Sequence, residues 1–154
     1  MSTDGIRERY DFIVADGDMS RFKSMYACMH IFPPSTTGWM VGDDAGKVVK
    51  QGEFTGSRKM LQAGKIRWAS VYAPSVELAT LILYPESYDG SNAFWDRASD
   101  NKHYLTVKPK LTAGSSSSYE IHMRAVKVSP DDWQKTVMQV VQSKLRLQAT
   151  RLVE

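Results

Sequence analysis

Residues 129–154, SPDDWQKTVMQVVQSKLRLQATRLVE, decide the fold, because they read as one helix with a single apolar side. Ser129 suits the N-cap, Pro130 the first helical position, and Asp131 and Asp132 the positive helix end. At about 100° per residue, Val140, Trp133, Val137, Val141, Leu152, Leu145 and Met138 sweep out one side. Lys135, Gln139, Gln142 and Arg146 lie opposite. Such a helix needs an apolar surface to cover. Trp133, Val137 and Val141 are expected to pack on the chain's own sheet. Leu145, Leu147 and Leu152 overhang it and form the expected contact between subunits.

The sequence before this helix is strand-rich. YDFIVAD (10–16) reads as a strand, and WMVGDDAGKVVKQGEF (39–54) as a hairpin. KIRWASVYA (65–73) and VELATLILY (76–84) read as strands separated by Pro74. HYLTVKPKL (103–111) and SYEIHMRAVKV (118–128) read as a hairpin joined through TAGSSSS, a flexible loop tip. DMSRFKSMYACMHIF (18–32) is ambiguous, since its apolar residues suit a helix capped by Asp18 as well as a strand. SRKMLQAG (57–64) reads as a short helical turn ended by Gly64, and ESYDGSNAFWDRASDN (86–101) as a polar surface loop. The expected fold is α+β: a single domain over residues 1–154, with an antiparallel sheet or partly closed barrel covered by a C-terminal amphipathic helix. In architecture this resembles small viral coat and matrix proteins, a likeness carried by no motif.

The composition is that of an ordinary globular domain, 42% hydrophobic and 24% charged over 154 residues. The single cysteine, Cys28, cannot form an internal disulfide. MSTDGIRERYD has no apolar signal core, and LATLILY is too short to span a bilayer. The expectation is a soluble cytoplasmic or intracellular protein.

Catalytic and metal chemistry find little support. GDDAGKV (42–48) has three residues rather than four between its glycines, and Val48 stands where a P-loop needs Ser or Thr. DGDMS (16–20) lacks the glycine and glutamate of a calcium loop. His30, His103 and His122 have no partner at zinc spacing, so neither a metal nor a cofactor is expected. Cys28 sits among apolar neighbours that suit an inert buried thiol. Asp43, Asp44, Glu86, Asp89, Asp96 and Asp100 offer carboxylates, and nothing selects a catalytic pair.

Charge is the informative feature. The net charge is +3, yet residues 55–72 and 102–128 each carry +4, while 73–101 carry −4. The first basic segment holds Arg58, Lys59, Lys65 and Arg67. In the second, burying the apolar positions of a 103–128 hairpin puts Lys108, Lys110, His122 and Arg124 on its outer face beside Tyr104. Solvating an open sheet face is the ordinary use of such cations. The sharper expectation is a self-associating, non-enzymatic structural or binding protein whose basic face contacts RNA or DNA. An anionic membrane is a weaker variant, and no small-molecule substrate is indicated. Two alternatives remain. One is a small enzyme or ligand-binding domain with a pocket between sheet and helix, using Cys28, His30 or His103. The other is a protein-binding adaptor or inhibitor using the acidic 86–100 loop.

Overall fold

The computed structural model describes residues 5–13, 25–32, 34–84, 91–97, 100–107, 114 and 116–151. Ten strands build two antiparallel sheets, followed by one α-helix. The strands are β1 (Ile6–Ile13), β2 (Met25–Phe32), β3 (Gly38–Gly42), β4 (Val48–Glu53), β5 (Ser57–Gly64), β6 (Trp68–Ala73), β7 (Leu78–Leu83), β8 (Ser91–Arg97), β9 (Asn101–Val107) and β10 (Ser116–Lys127). The helix, α1, runs Trp133–Arg151. One sheet has the order β1-β10-β7-β6-β3-β4 and the other β2-β9-β8-β5. The sheets are not closed into a barrel.

The layering explains the apolar runs. Between the sheets, Trp39, Val41, Ala69, Val71, Ile82 and Ile121 of the larger sheet meet Phe32, Ala63 and Phe94 of the smaller. On the other face of the larger sheet, Met40, Trp68, Tyr72, Ala79, Leu81, Leu83 and Val126 meet Val137 and Val141 of α1. β3 and the first five residues of β6 are therefore buried on both faces, and these segments carry no polar–apolar alternation. β4, at the sheet edge, is mostly exposed.

The helix does lie on its own sheet, as its apolar side requires. Val137 and Val141 are fully buried. The Trp133 ring stacks on Tyr72 at 5.1 Å between centroids. A Cβ on Gly38 would come within 2.9 Å of the same indole, so glycine is needed there to let it down onto the sheet. The helix proper begins at Trp133 rather than Pro130, after a turn at 130–132. Ser129 Oγ donates to Asp132 Oδ1 at 2.5 Å instead of capping a backbone N–H. Trp133→Ala is expected to destabilise the fold by about 2–3 kcal/mol, less than for a fully enclosed Trp, because the ring is only half-buried. Urea unfolding followed by far-UV dichroism measures it.

The GDDAGKV stretch is a hairpin turn. Asp43 Oδ1 accepts from Lys47 N at 2.8 Å, and Asp43 N donates to Lys47 O at 3.0 Å. Its side chain closes its own loop, leaving no phosphate cradle.

Three local expectations need correction, and one left open is decided. Residues 57–64 form strand β5 on β8, with Gly64 keeping its turn role at φ +77°. Residues 91–97 form strand β8 rather than loop, because Phe94 and Asp96 both point into the interior. The serine run enters β10, where Ser116, Ser117 and Ser118 pair with Ile13, Phe12 and Asp11. Residues 25–32 resolve as a strand. The Asp18 cap and the DGDMS stretch lie outside the described residues.

The largest correction concerns β9 and β10. They do not pair. β9 is flanked by β2 and β8, and β10 by β1 and β7, so each has both edges occupied in a different sheet. His103 and Ile121 face the inter-sheet core as the alternation requires, but toward the end of β10 Ala125 is exposed and Val126 is buried under the helix. The outward residues of β9 and β10, however, lie on opposite faces of the sandwich.

Candidate anion-binding groove

The basic residues expected to form one face are dispersed by this topology. Tyr104 is half-buried on the outer face of the four-stranded sheet, paired with Ala93 and Cys28. His122 and Arg124 lie on the outer face of the six-stranded sheet, in register with Leu83 and Leu81. Lys108 and Lys110 lie outside the described residues. Arg58 and Lys59 are exposed on edge strand β5, with Arg58 at φ +56° beside a bulge. Lys65 is exposed in the turn after β5. Arg67 is buried, its N donating to Gly42 O and its carbonyl accepting from Tyr84 N. Of the nine expected contact residues, the described structure brings only His122 and Arg124 together.

What gathers around those two was not expected. α1 covers the β3, β6 and β7 part of the outer face and the end of β10 at Val126, and leaves β1 and the Glu120–Arg124 part of β10 more open. Between β10 and the flank of α1 lies a groove of about 440 Å³, lined by Arg124, Ala125, Val126, Lys127, Gln139, Val140, Ser143 and Lys144. Three of the eight are cations and none is acidic. Among the described residues, Arg124, Lys127 and Lys144 form no ion pair with a carboxylate.

The carboxylates nearby are already engaged. Glu120 accepts from His122 Nε2 at 2.6 Å, and that bond, with the charges of Arg7 and Arg9, holds it below the usual carboxylate range. Asp11 accepts from Ser118 Oγ at 2.5 Å and Arg9 Nε at 3.0 Å, which lowers it too. The strip therefore grades from a neutralised end at Asp11, Arg9 and Ser118 to an uncompensated basic end at Arg124, Lys127 and Lys144. Arg7 is in register with His122 and lies between them.

The helical contributors share one flank by their spacing, since Gln139 and Ser143, and Val140 and Lys144, are each four residues apart. That spacing was legible in the sequence. The partnership with β10 was not, because it depends on the angle at which α1 crosses the sheet. Leu145, expected at a subunit contact, packs partly against its own core, close to Gly46. The Leu147 side chain and Leu152 lie outside the described residues.

His103 is fully buried, and the Cys28 side chain is outside the described set. No group of three or more His, Cys, Asp or Glu side chains among the described residues could hold a metal ion. Among the described residues no helix is long and apolar enough to cross a membrane. No family model matches the chain, and neither curated proteins nor solved structures yield a match.

Proposed function

We propose that the chain is a non-enzymatic binding protein that holds nucleic acid on the more open part of the six-stranded sheet, in the groove between β10 and α1. The observation that carries this reading is one concave strip lined by Arg124 and Lys144 and bordered by Lys127, none of which forms an ion pair with a carboxylate among the described residues. Cations left uncompensated on a folded surface repel one another, and a polyanion relieves that repulsion. Val126 and Val140 give the groove apolar walls between the cations. A base can rest there while flanking phosphates meet the cations, which favours a single strand over a duplex. Gln139 and Ser143 supply hydrogen-bonding groups suited to base edges or sugar hydroxyls. Self-association through the end of α1 beyond Leu145 belongs to the same reading.

The test is fluorescence anisotropy with labelled single-stranded RNA and DNA over a salt series. Three phosphate contacts give a slope of log K against log salt of about −2. Arg124→Ala and Lys144→Ala should each flatten that slope by about 0.7 and weaken binding alike for unrelated sequences. Absence of binding by the native protein at low salt, or an unchanged slope in the double variant, rejects the reading.

A further inference from the structure

A second cluster of titratable groups lies away from the groove, inside the sandwich. Tyr84 Oη and His103 Nε2 are 2.8 Å apart. His103 Nδ1 and His30 Nδ1 are 3.1 Å apart, with the rings parallel to within 3°. His30 Nε2 is 3.1 Å from Glu8 Oε2, which also accepts the Tyr10 hydroxyl proton. Glu8 and Tyr10 belong to β1, and Tyr84 follows β7 in the same sheet. His30 and His103 belong to β2 and β9 of the other sheet. The chain of bonds thus crosses the interface between the sheets twice, where edge strand β1 lies over edge strand β2. Tyr84 and His103 are buried, the His30 side chain is 10% exposed, and the Glu8 side chain is 29% exposed. Solvent therefore reaches the chain at its Glu8 end.

Proton counting fixes how this chain is filled. One proton, and only one, can occupy the Nδ1–Nδ1 contact. With Glu8 ionised and both imidazoles neutral, one direction satisfies every atom. Tyr84 donates to His103 Nε2, His103 Nδ1–H to His30 Nδ1, and His30 Nε2–H to the Glu8 carboxylate. The reverse direction turns a bare His30 Nε2 lone pair on the carboxylate. An added proton on His30 puts N–H groups on both sides of the 3.1 Å contact. Relief then requires the His103 proton to move to Nε2 and the Tyr84 hydroxyl to turn away. Two imidazolium rings with centroids 5.4 Å apart in this interior cannot coexist.

We propose that this chain is a pH-operated latch between the two sheets, shut while both imidazoles are neutral and released at the β1–β2 edge on acidification. The groups facing the pair are Glu8 and Tyr10 from β1, Tyr84 after β7, and the rings of Phe32 on β2 and Phe94 on β8. Among these described groups Glu8 is the one carboxylate, and none is a lysine or arginine. Burial first, and then the neighbouring His30, hold His103 down at about 3. An unfolded histidine titrates near 6.5. A folded value below the unfolded one makes the closed form fully favourable above about 6.5. That advantage drains away as pH falls toward about 3, because the opened chain takes up a proton that the closed one refuses. The latch does not depend on the groove being a nucleic-acid site.

Native-state hydrogen exchange of the full chain from pH 7.5 to 4.5, corrected for intrinsic exchange, tests it. The opening constant of the β1 and β2 amides should rise about tenfold per pH unit below about 6, while amides at the centre of β6 and β7 stay protected. His103→Gln keeps a donor and an acceptor but cannot take the proton, and should abolish that dependence. Histidine NMR gives a readout independent of the variant's folding. A His103 ring that stays neutral at pH 5 in the closed protein supports the latch. A His103 that titrates near 6.5 in the folded protein, or a β1–β2 opening constant that does not change with pH, overturns it.

Discussion

Asp96→Ala is expected to destabilise the fold by about 3 kcal/mol or more, a large share of a small domain's stability. Asp96 lies on β8 and is 1% exposed. Its oxygens accept from Thr55 N at 3.1 Å, Thr55 Oγ1 at 3.0 Å, Gly56 N at 2.7 Å, Ser57 N at 3.2 Å and Ser57 Oγ at 2.6 Å. Residues 54–56 carry the chain from β4 in one sheet to β5 in the other. Gly56 there sits at φ +69°, so the crossing is tight and its backbone donors have no ladder to join. One carboxylate satisfies them. Alanine would leave three part-buried backbone N–H groups, of Thr55, Gly56 and Ser57, without this acceptor at once, and the cost of that exceeds the worth of any single hydrogen bond. Burial pushes the Asp96 carboxyl up, and the bonds from Ser57, Thr55 and Gly56 outweigh it, bringing it down to about 2. With the folded value below the unfolded one, this contribution is complete above about pH 4 and is lost as pH falls through about 2. Urea unfolding at pH 7 and at pH 3 checks both claims. The native protein should be weaker at pH 3, and the variant should lose the Asp96 share of that difference. A loss under about 1 kcal/mol at pH 7 would show that the crossing holds without its carboxylate.

Asp96 also marks where sequence reading ran out. It sits in a stretch dense with Ser, Asp, Asn and Gly, and such composition reads as a solvated loop. Nothing in one sequence says that its acceptor matches donors some forty residues earlier. The same holds for Glu8, His30, His103 and Tyr84, which are scattered over four elements and meet through sheet stacking alone. Local pattern did better wherever burial is one-sided. The helix face of Val137 and Val141 and the inward parity of Ile121 follow from periodicity, and the β3–β4 hairpin from its turn residues. Strand partnership was the failure. HYLTVKPKL and SYEIHMRAVKV are adjacent in the chain and both alternate, so a hairpin is the economical reading. The actual partners, β2 for β9 and β1 for β10, are distant in sequence, and the alternation is the same whichever strand lies alongside. A register argument fixes which side chains face inward on each strand. It cannot fix which of two sheets the strand joins, and so the basic face was drawn whole when it is divided.

Val137→Asp tests the remaining dependence, that of the larger sheet on its helix. Val137 is fully buried between α1 and the sheet and belongs to a cluster with Met40, Trp68, Tyr72 and Leu81. A carboxylate there is either ionised without a partner or held neutral by a raised pKa, and both are costly. The expected loss is about 4 kcal/mol or more, at the upper end for a single substitution. The manner of failure follows from the two-core design. The inter-sheet core of Trp39, Val41, Ile82 and Phe94 does not include the helix, so the strands have a reason to hold together when α1 lifts. Trp68, Tyr72, Leu81 and Leu83 would then face water as one apolar surface. The expected result is loss of the near-UV dichroism of the stacked Tyr72 and Trp133, retention of strand signal in the far-UV, and association visible by light scattering. Both arms matter. Simultaneous loss of strand and helix signals would mean that the two cores form one cooperative unit. A variant that keeps the native protein's mass and near-UV signal would mean that the helix seats on the sheet without Val137, against that residue's full burial.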